Sequence, residues 1–210
     1  MMNKIELVAA LSHILPRALV LDSEEAQRPF ECDGLSAYQC LPLVTVLPDT
    51  IDQVRGIVRL CHENDIPLVA RGAGTGLSGG ALPHDKGVLL SLAKFNRILD
   101  IDLDNHCARV EPGVRNLAIS EAVAGQGMYY APDPSSQIAC TIGGNVAENA
   151  GGVHCLKYGL TVHNILALKV ITPEGDILNI GSAAFDSPGF DLLAVMTGSE
   201  GLLGIIIEVT

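Results

Sequence analysis

Arg71–Gly80 reads RGAGTGLSGG, with five glycines in ten residues, and it follows the apolar run Pro67–Ala70 directly. Glycine tolerates φ > 0 and lacks the Cβ that would hold a ligand away from peptide N–H groups, so such a loop suits cradling a phosphate on bare backbone. Gly74, Gly76 and Gly79 spell GxGxxG. In a Rossmann fold that turn must open a helix whose N-terminus faces the pyrophosphate. Here Gly80, Pro83 and Gly87 break any helix, and Val88–Leu92 reads as a strand. A P-loop is excluded, because no GxxxxGK[ST] occurs in the chain. On this loop alone, a plain glycine turn between two strands is the alternative.

Two further segments extend the pattern: TIGGNVAENAGG over Thr141–Gly152 and GSEGLLG over Gly198–Gly204. Three separated glycine-rich loops suit one extended ligand, a dinucleotide that meets backbone at several points, better than a mononucleotide. Thr75, Ser78, Thr141, Asn145, Asn149 and Ser199 interleave the glycines and offer hydroxyls and amides without bulk.

The rest of the chain limits what that ligand and its partners can be. Its 210 residues are 48% hydrophobic, enough for a sizeable core, with a net charge of −11. No run of Lys or Arg appears, which argues against nucleic acid or an anionic membrane surface as a direct partner. Only 4% of residues are aromatic and Trp is absent, so base-stacking platforms are not expected either. An anionic ligand must therefore be held locally, as glycine-loop N–H groups can do. The six cysteines form no CxxC pair and no zinc-finger spacing, and are expected to be reduced, mostly buried thiols. The N-terminal MMNKIELVAALSHILPRALV lacks a cleavage signature, and Ile5, Val8, Leu11 and Leu15 predict a packed amphipathic helix. No apolar run is long enough to span a bilayer. A cytoplasmic location follows as an expectation, with membrane association only through partners.

Hydrophobic patterning predicts a strand over Leu43–Leu47, a helix over about Ile51–Asn64 and a strand over Pro67–Ala70, together a βαβ unit. Thr50 and Gln53 form a capping-box pair worth about 1 kcal/mol, and Ile51, Val54, Ile57, Val58 and Cys61 form the apolar face. Val88–Leu92 adds a third parallel strand. Strands near Ile98–Ile101 and Ala108–Val110 and a helix from about Val114 to Gly125 follow. APDPSS, Ala131–Ser136, carries two prolines and reads as a rigid, exposed connector. Ala167–Thr172 and Ile177–Ile180 predict a hairpin about a polar turn, Phe190–Met196 a short helix, and Gly204–Thr210 a strand. The chain ends on that strand with no closing element, which reads as a domain boundary.

In order, RGAGTGLSGG, VEPGV, APDPSS, TIGGNVAENAGG, KYG, PGFDLL and GSEGLLGI resemble the FAD-binding domain of the vanillyl-alcohol oxidase and p-cresol methylhydroxylase superfamily. The resemblance runs over nearly all of residues 30–210. Within the superfamily, ECDGLSAY and the stretch from APDPSS to KYGLTVHN look most like the FAD-binding subunits of bacterial glycolate oxidases. This implies an α+β fold of two subdomains, a small parallel βαβ part and a mixed sheet with flanking helices, with FAD between them. It divides the chain into an N-terminal helical segment over 1–29 and an FAD-binding domain over 30–210, with subdomains of about 30–112 and 113–210. A C-terminal substrate domain is expected to be absent.

By the family pattern, Gly72, Ala73, Gly74, Thr75 and Gly76 would hold the pyrophosphate through backbone N–H groups, with Thr75 adding its hydroxyl. Pro132, Asp133, Ser136, Thr141, Gly143, Gly144, Asn145, Asn149 and Gly151 would line the path to the isoalloxazine. Glu200 and the Ile206 backbone would meet the adenosine or pyrophosphate end. Some superfamily members attach flavin through a histidine at the position of Thr75, so the resemblance implies non-covalent FAD. His154 and Cys155 flank the second glycine segment and read as packing residues, because sequence places no partner beside either.

The chemistry implied is oxidation of a small 2-hydroxy acid, glycolate or D-lactate, by hydride transfer to flavin N5. Family members keep substrate and acid/base residues, including histidines that often hold a metal, in a C-terminal domain. The expectation is that these residues bind FAD without turning over the hydroxy acid. The resemblance implies, in the intact complex, a second flavoprotein-like subunit and an iron–sulfur subunit, and peripheral placement at the inner membrane through them. A D-2-hydroxyglutarate type dehydrogenase and a non-catalytic nucleotide-binding or subunit-interaction module remain open as alternatives.

Overall fold

The computed structural model describes residues 2–182 and 189–210. Met1, at the head of the expected N-terminal segment, and Pro188, at the head of PGFDLL, lie outside them. The chain forms two compact units, one of residues up to Lys94 with the Thr172–Asp176 turn, the other of Phe95–Ile171 and Ile177–Thr210.

The first unit opens with α1, Lys4–Ile14. Asn3 and Glu6 cap it reciprocally, Asn3 Oδ1 accepting from the Glu6 N–H at 3.0 Å and Glu6 Oε2 from the Asn3 N–H at 2.9 Å. Its buried face is Leu7 and Leu11 with Leu15 just beyond. The expected inclusion of Ile5 is wrong: Ile5 is 82% exposed, two residues before Leu7 and so about 160° round the helix from it, away from the stripe that Leu7 and Leu11 define at i, i+4. Strand β1 (Val20–Leu21) and helix α2 (Glu24–Gln27) follow. Strands β2 (Val44–Val46), β3 (Leu68–Arg71) and β4 (Val88–Ser91), with helix α3 (Ile51–Glu63) between β2 and β3, complete the unit. The sheet order is β1-β2-β4-β3, in which β2, β4 and β3 are parallel and β1 is antiparallel.

The βαβ unit thus forms as expected, and β4 fills the gap its crossover leaves. Every residue of β2 and β4 is buried, as the unalternating runs VTV and VLLS require of inner parallel strands. Helix α3 buries Val54, Ile57, Val58 and Cys61. Its cap is half the predicted box. Thr50 Oγ1 accepts from the Gln53 N–H at 3.3 Å, but the Gln53 side chain caps the N–H of Asp49, at 2.9 Å, instead of Thr50.

The second unit is built on a five-stranded antiparallel sheet of order β5-β6-β9-β7-β8. These strands are β5 (Ile98–Asp102), β6 (Cys107–Val110), β7 (Ala167–Ile171), β8 (Ile177–Gly181) and β9 (Ile205–Val209). The last strand therefore occupies the middle of the sheet, paired with β7 from Leu168↔Val209 to Ile171↔Ile205 and with β6 at Val110↔Val209. Helices α3-like in length are absent among the described residues here; α4 (Asn116–Val123), α5 (Ile142–Glu148), α6 (Cys155–Tyr158) and α7 (Leu192–Met196) are short. The core joins Val110, Ile142, Val146, Leu168, Val170, Ile206 and Val209, so one face of α5 seals one face of the sheet. No helix among the described residues is long and apolar enough to cross a membrane.

Three expectations need correction here. TIGGNVAENAGG is not a loop: its first two-thirds is α5, because Ile142 and Val146 at i, i+4 drive into the core and outweigh the helix cost of two glycines, about 1 kcal/mol each. APDPSS is an irregular connector as predicted, but it is largely half-buried, with Pro132 buried, and it is tied to α4 through Asn116 and to the segment after α5 through His154. All six cysteines are free, yet only Cys61 and Cys140 are buried and the other four are half-buried.

Candidate functional site

In the first unit, Gly72, Ala73, Gly74, Thr75 and Gly76 form the loop that leaves the C-terminal end of β3, the end at which open parallel sheets bind ligands. The loop returns to β4 without a helix. Gly74 has φ +68°, and its backbone lies so close to the Arg71 guanidinium that no Cβ fits. Among the described residues, the backbone N–H groups of Ala73, Gly74, Thr75 and Gly76 have no backbone carbonyl partner. A second segment braces the loop from below: a Cβ on Gly34, in ECDG, would stand 2.7 Å from the Gly76 carbonyl oxygen and 2.8 Å from that of Thr75. Arg71 donates to the carbonyls of Cys32 at 2.8 Å and Ala81 at 3.3 Å.

In the second unit, the candidate residues gather around α5. Thr141 is its N-cap in extended conformation, but its side chain makes no capping bond, and its buried Oγ1 has no partner. Gly143 is required by packing, since a Cβ there would meet Pro112 Cβ at 2.5 Å, and its N–H donates to the Pro112 carbonyl at 2.8 Å. Gly144 differs. The nearest atom to a Cβ on it is Thr141 Oγ1, at 3.5 Å, an ordinary contact, so nothing among the described residues demands glycine there.

The asparagines of this segment have structural partners. Asn145 is buried, with its Oδ1 accepting from Asn116 Nδ2 at 2.9 Å and its Nδ2 facing Cys140 Sγ at 3.3 Å. Asn149 ends the helix in the left-handed region, φ +49°, and its Oδ1 accepts from the Val162 N–H at 3.1 Å. Gly151 packs against Leu160, at 3.0 Å from an added Cβ. Pro132 offers its carbonyl to Asn116 Nδ2 at 3.0 Å, and the Ser136 carbonyl accepts from Ala139 and Cys140.

Glu200 is exposed at φ +53°, in a turn whose N–H groups finish α5: Gly198 donates to Val146 at 2.8 Å and Glu200 to Ala147 at 2.9 Å. That remote cap satisfies carbonyls a short helix would otherwise leave bare. Ile206 lies in β9, with its side chain in the core and its register partner Val170 on β7.

His154, for which the sequence places no partner, has one, and its side chain is 61% exposed rather than packed. His154 Nδ1 lies 2.6 Å from Asp133 Oδ2, and its N–H donates to Asp133 Oδ1 at 3.2 Å. Burial raises the Asp133 pKa, but the hydrogen bonds from His154 outweigh it and hold the carboxyl below the usual range. The pair is 21 residues apart, and no local pattern could reveal it; it forms because Gly152 brings its bare backbone against Asp133, at 2.5 Å from a would-be Cβ to the Asp133 carbonyl. Sequence reasoning also missed Asn116, whose amide joins the connector to α5, and Arg71, which was read only as the first letter of the loop. Tyr158 lies edge-on to Tyr129, at 6.1 Å between centroids, with Lys157 Nζ 4.7 Å from its ring.

Taken separately, each unit carries groups suited to part of an FAD. Among the described residues, the first has N–H groups at Ala73–Gly76 with no backbone carbonyl partner, which suit a diphosphate, and the second has a buried Thr141 hydroxyl without a partner.

The comparisons agree. An alkyldihydroxyacetonephosphate synthase structure superposes with a TM-score of 0.83 over 97% of this chain and 39% of its own, at 23% identity, and shows the fold. The glycolate oxidase subunit GlcD of Escherichia coli K12 is 61% identical over 208 residues, 99% of this chain and 42% of that protein. The D-lactate dehydrogenase of Anaerostipes hadrus is 40% identical over 212 residues, 99% of this chain and 44% of that protein. The chain thus spans less than half the length of the curated relatives it matches. A family model described as FAD binding domain matches residues 42–181. With its glycine loop, its α5 cradle and its fold all accounted for in that way, the chain belongs to the FAD binding domain family.

Proposed function

We propose that this chain is the FAD-binding part of a flavoprotein oxidoreductase that oxidises a small 2-hydroxy acid, glycolate or D-lactate, to the 2-oxo acid. The observation that carries the reading is 61% identity to a glycolate oxidase subunit across 99% of the chain. Support comes from the N–H groups of Ala73–Gly76, which have no backbone carbonyl partner among the described residues, and from the Thr141 hydroxyl, which has no hydrogen-bond partner among them.

In this reading Ala73 to Gly76 bind the diphosphate through backbone N–H groups, with the Thr75 hydroxyl beside them. Thr141 Oγ1 and the uncrowded Gly144 backbone take a second stretch of the ligand. Pro132 is held by Asn116 of α4 and Asp133 by His154 at the start of α6, so in this reading the connector is a fixed wall of the cofactor path. FAD, when bound, supplies the hydride acceptor for the α-carbon hydrogen of the substrate. The base that takes the substrate hydroxyl proton we place in the additional length that the relatives possess. Thr75 has no ring nitrogen with which to attach a flavin, so FAD is held non-covalently. A second flavoprotein-like subunit and an iron–sulfur subunit would carry electrons onward, and the assembly would be cytoplasmic, peripheral at the inner membrane through those subunits.

A thermal unfolding titration with FAD, and with FMN and NAD as controls, tests the cofactor. Saturation at about 100 times Kd adds roughly 2.7 kcal/mol and raises Tm by about 5–10 °C. A shift with FAD alone supports the reading; a shift with NAD alone overturns it. Yellow colour retained in an acid-precipitated pellet would contradict non-covalent attachment. Turnover of glycolate with an artificial electron acceptor is expected only from a chain as long as the relatives, and substantial turnover by these 210 residues would refute that assignment.

A further inference from the structure

Arg71 ends β3 directly beneath the glycine loop and is 7% exposed. Its guanidinium lies against Gly74, donates to the carbonyls of Cys32 and Ala81, and sits 5.9 Å from the Phe30 ring centroid. Buried charges are ordinarily paired with an opposite charge, because desolvation of an isolated ion is costly. Among the described residues no carboxylate lies within ion-pair distance of this guanidinium. The Asp33 carboxylate acts on it through space, yet makes no ion pair with it: Asp33 is buried in its own turn, with Oδ1 accepting from the Leu35 N–H at 2.8 Å and Oδ2 without a partner among the described residues. Burial pushes the Arg71 pKa down, opposed by the nearby Cys32 and Asp33, and an arginine so placed remains charged at neutral pH. A fixed cation with no directly paired carboxylate among the described residues therefore lies against a loop in which the N–H groups of Ala73–Gly76 have no backbone carbonyl partner, in a chain of net charge −11.

The geometry points to Arg71 as the binding charge of this loop: the buried cation that lets a diphosphate settle on Ala73–Gly76 of an otherwise acidic protein. For FAD the inference rests on the cofactor reading above, but the chemistry it recognises is the diphosphate itself. Both carbonyls accept from Arg71 Nη1, and these two contacts fix where the charge sits. The attraction between this charge and an anionic ligand arriving from solvent weakens as salt is added, so part of the salt dependence of binding should come from Arg71.

The test is flavin fluorescence quenching by the wild-type chain, Arg71→Lys and Arg71→Met at low and high salt, with thermal protection by inorganic pyrophosphate measured in parallel. Contacts to charged groups are worth about 1.5–3 kcal/mol, so Arg71→Met is expected to raise the FAD Kd about 10–100-fold. It should also flatten the salt dependence and abolish pyrophosphate protection. Arg71→Lys keeps the charge and should recover most of both, a rescue that a packing role would not give. An Arg71→Met chain with native circular dichroism, wild-type Kd and wild-type salt dependence overturns the proposal, as does a folded Lys variant as weak as Met. Where Arg71→Met does not fold, wild-type pyrophosphate protection that Arg71→Lys leaves unchanged supports the proposal, and its absence in the wild type overturns it. Pyrophosphate protection that depends on Arg71, without any FAD quenching, would overturn the cofactor reading and leave this inference standing.

Discussion

Asn116 Nδ2 donates to Asn145 Oδ1 at 2.9 Å, across 29 residues, with both side chains buried. The same amide donates to the Pro132 carbonyl at 3.0 Å, so one side chain ties the proline-rich connector to α5. Removing it strands a buried amide oxygen and a buried carbonyl, whose desolvation costs about 1–3 kcal/mol each way it is counted. Asn116→Ala should therefore lower the Tm of the apo chain by about 4–8 °C. Differential scanning calorimetry of the two proteins checks this, and a drop smaller than that of an exposed control such as Asn105→Ala would show that the bridge is dispensable.

The Asp133–His154 contact predicts a pH signature. The folded pKa of Asp133 lies below its unfolded value, because hydrogen bonds from His154 outweigh burial. A carboxylate lowered in this way stabilises the fold fully above the unfolded carboxylate value, near 3.8, and loses that contribution as pH falls through its folded pKa. The wild-type Tm should consequently fall more steeply on acidification below about pH 4 than that of Asp133→Asn. Parallel melting curves of the two proteins from neutral to acid pH would decide it, and superimposable acid limbs would refute the pairing.

Cys61 carries a chemical prediction. Burial pushes its thiol up to about 12, so almost no thiolate exists at neutral or mildly alkaline pH. Alkylation by iodoacetamide at pH 8, followed by peptide mass spectrometry, should label Cys32, Cys40 and Cys155, which are half-buried, well before Cys61. Labelling of Cys61 at their rate in the native protein would show that the α3 core opens readily.

The βαβ unit, the helix face of α3 and the β7–β8 hairpin were legible in the sequence because each is decided by local periodicity and a turn signal: buried Val54, Ile57, Val58 and Cys61, or the Pro173–Asp176 turn. The resemblance placed the glycine segments, but not their conformation. TIGGNVAENAGG looked like a loop because glycine content is local, whereas Ile142 and Val146 owe their helical register to a sheet formed by residues far along the chain. Ile5 looked like core for the converse reason: its spacing suits a helix stripe, but the tertiary partners lie on the face of Leu7 and Leu11. Asn116, Arg71 and the Asp133–His154 pair stayed hidden because their partners are 29, 39 and 21 residues away. A polar residue at such a position carries no periodic signal.

The two glycines at the start of α5 separate packing from ligand approach. At Gly143 a methyl group would sit 2.5 Å from Pro112 Cβ and 3.1 Å from the Pro112 Cα and carbonyl oxygen, a backbone clash that nothing flexible can relieve. Overpacking of that kind costs typically 1–3 kcal/mol, so Gly143→Ala should lower the apo Tm by several degrees. At Gly144 the closest atom would be Thr141 Oγ1, at 3.5 Å, an ordinary contact. Alanine is worth about 1 kcal/mol more than glycine in a helix, so Gly144→Ala should raise the apo Tm by about 2–4 °C. If the bare backbone at Gly144 serves a dinucleotide, the same methyl group should cut the FAD-induced Tm shift even as it stabilises the free protein. Opposite signs for the two effects in one variant distinguish a ligand surface from a structural glycine, because a purely structural glycine would give a lower apo Tm and an unchanged shift.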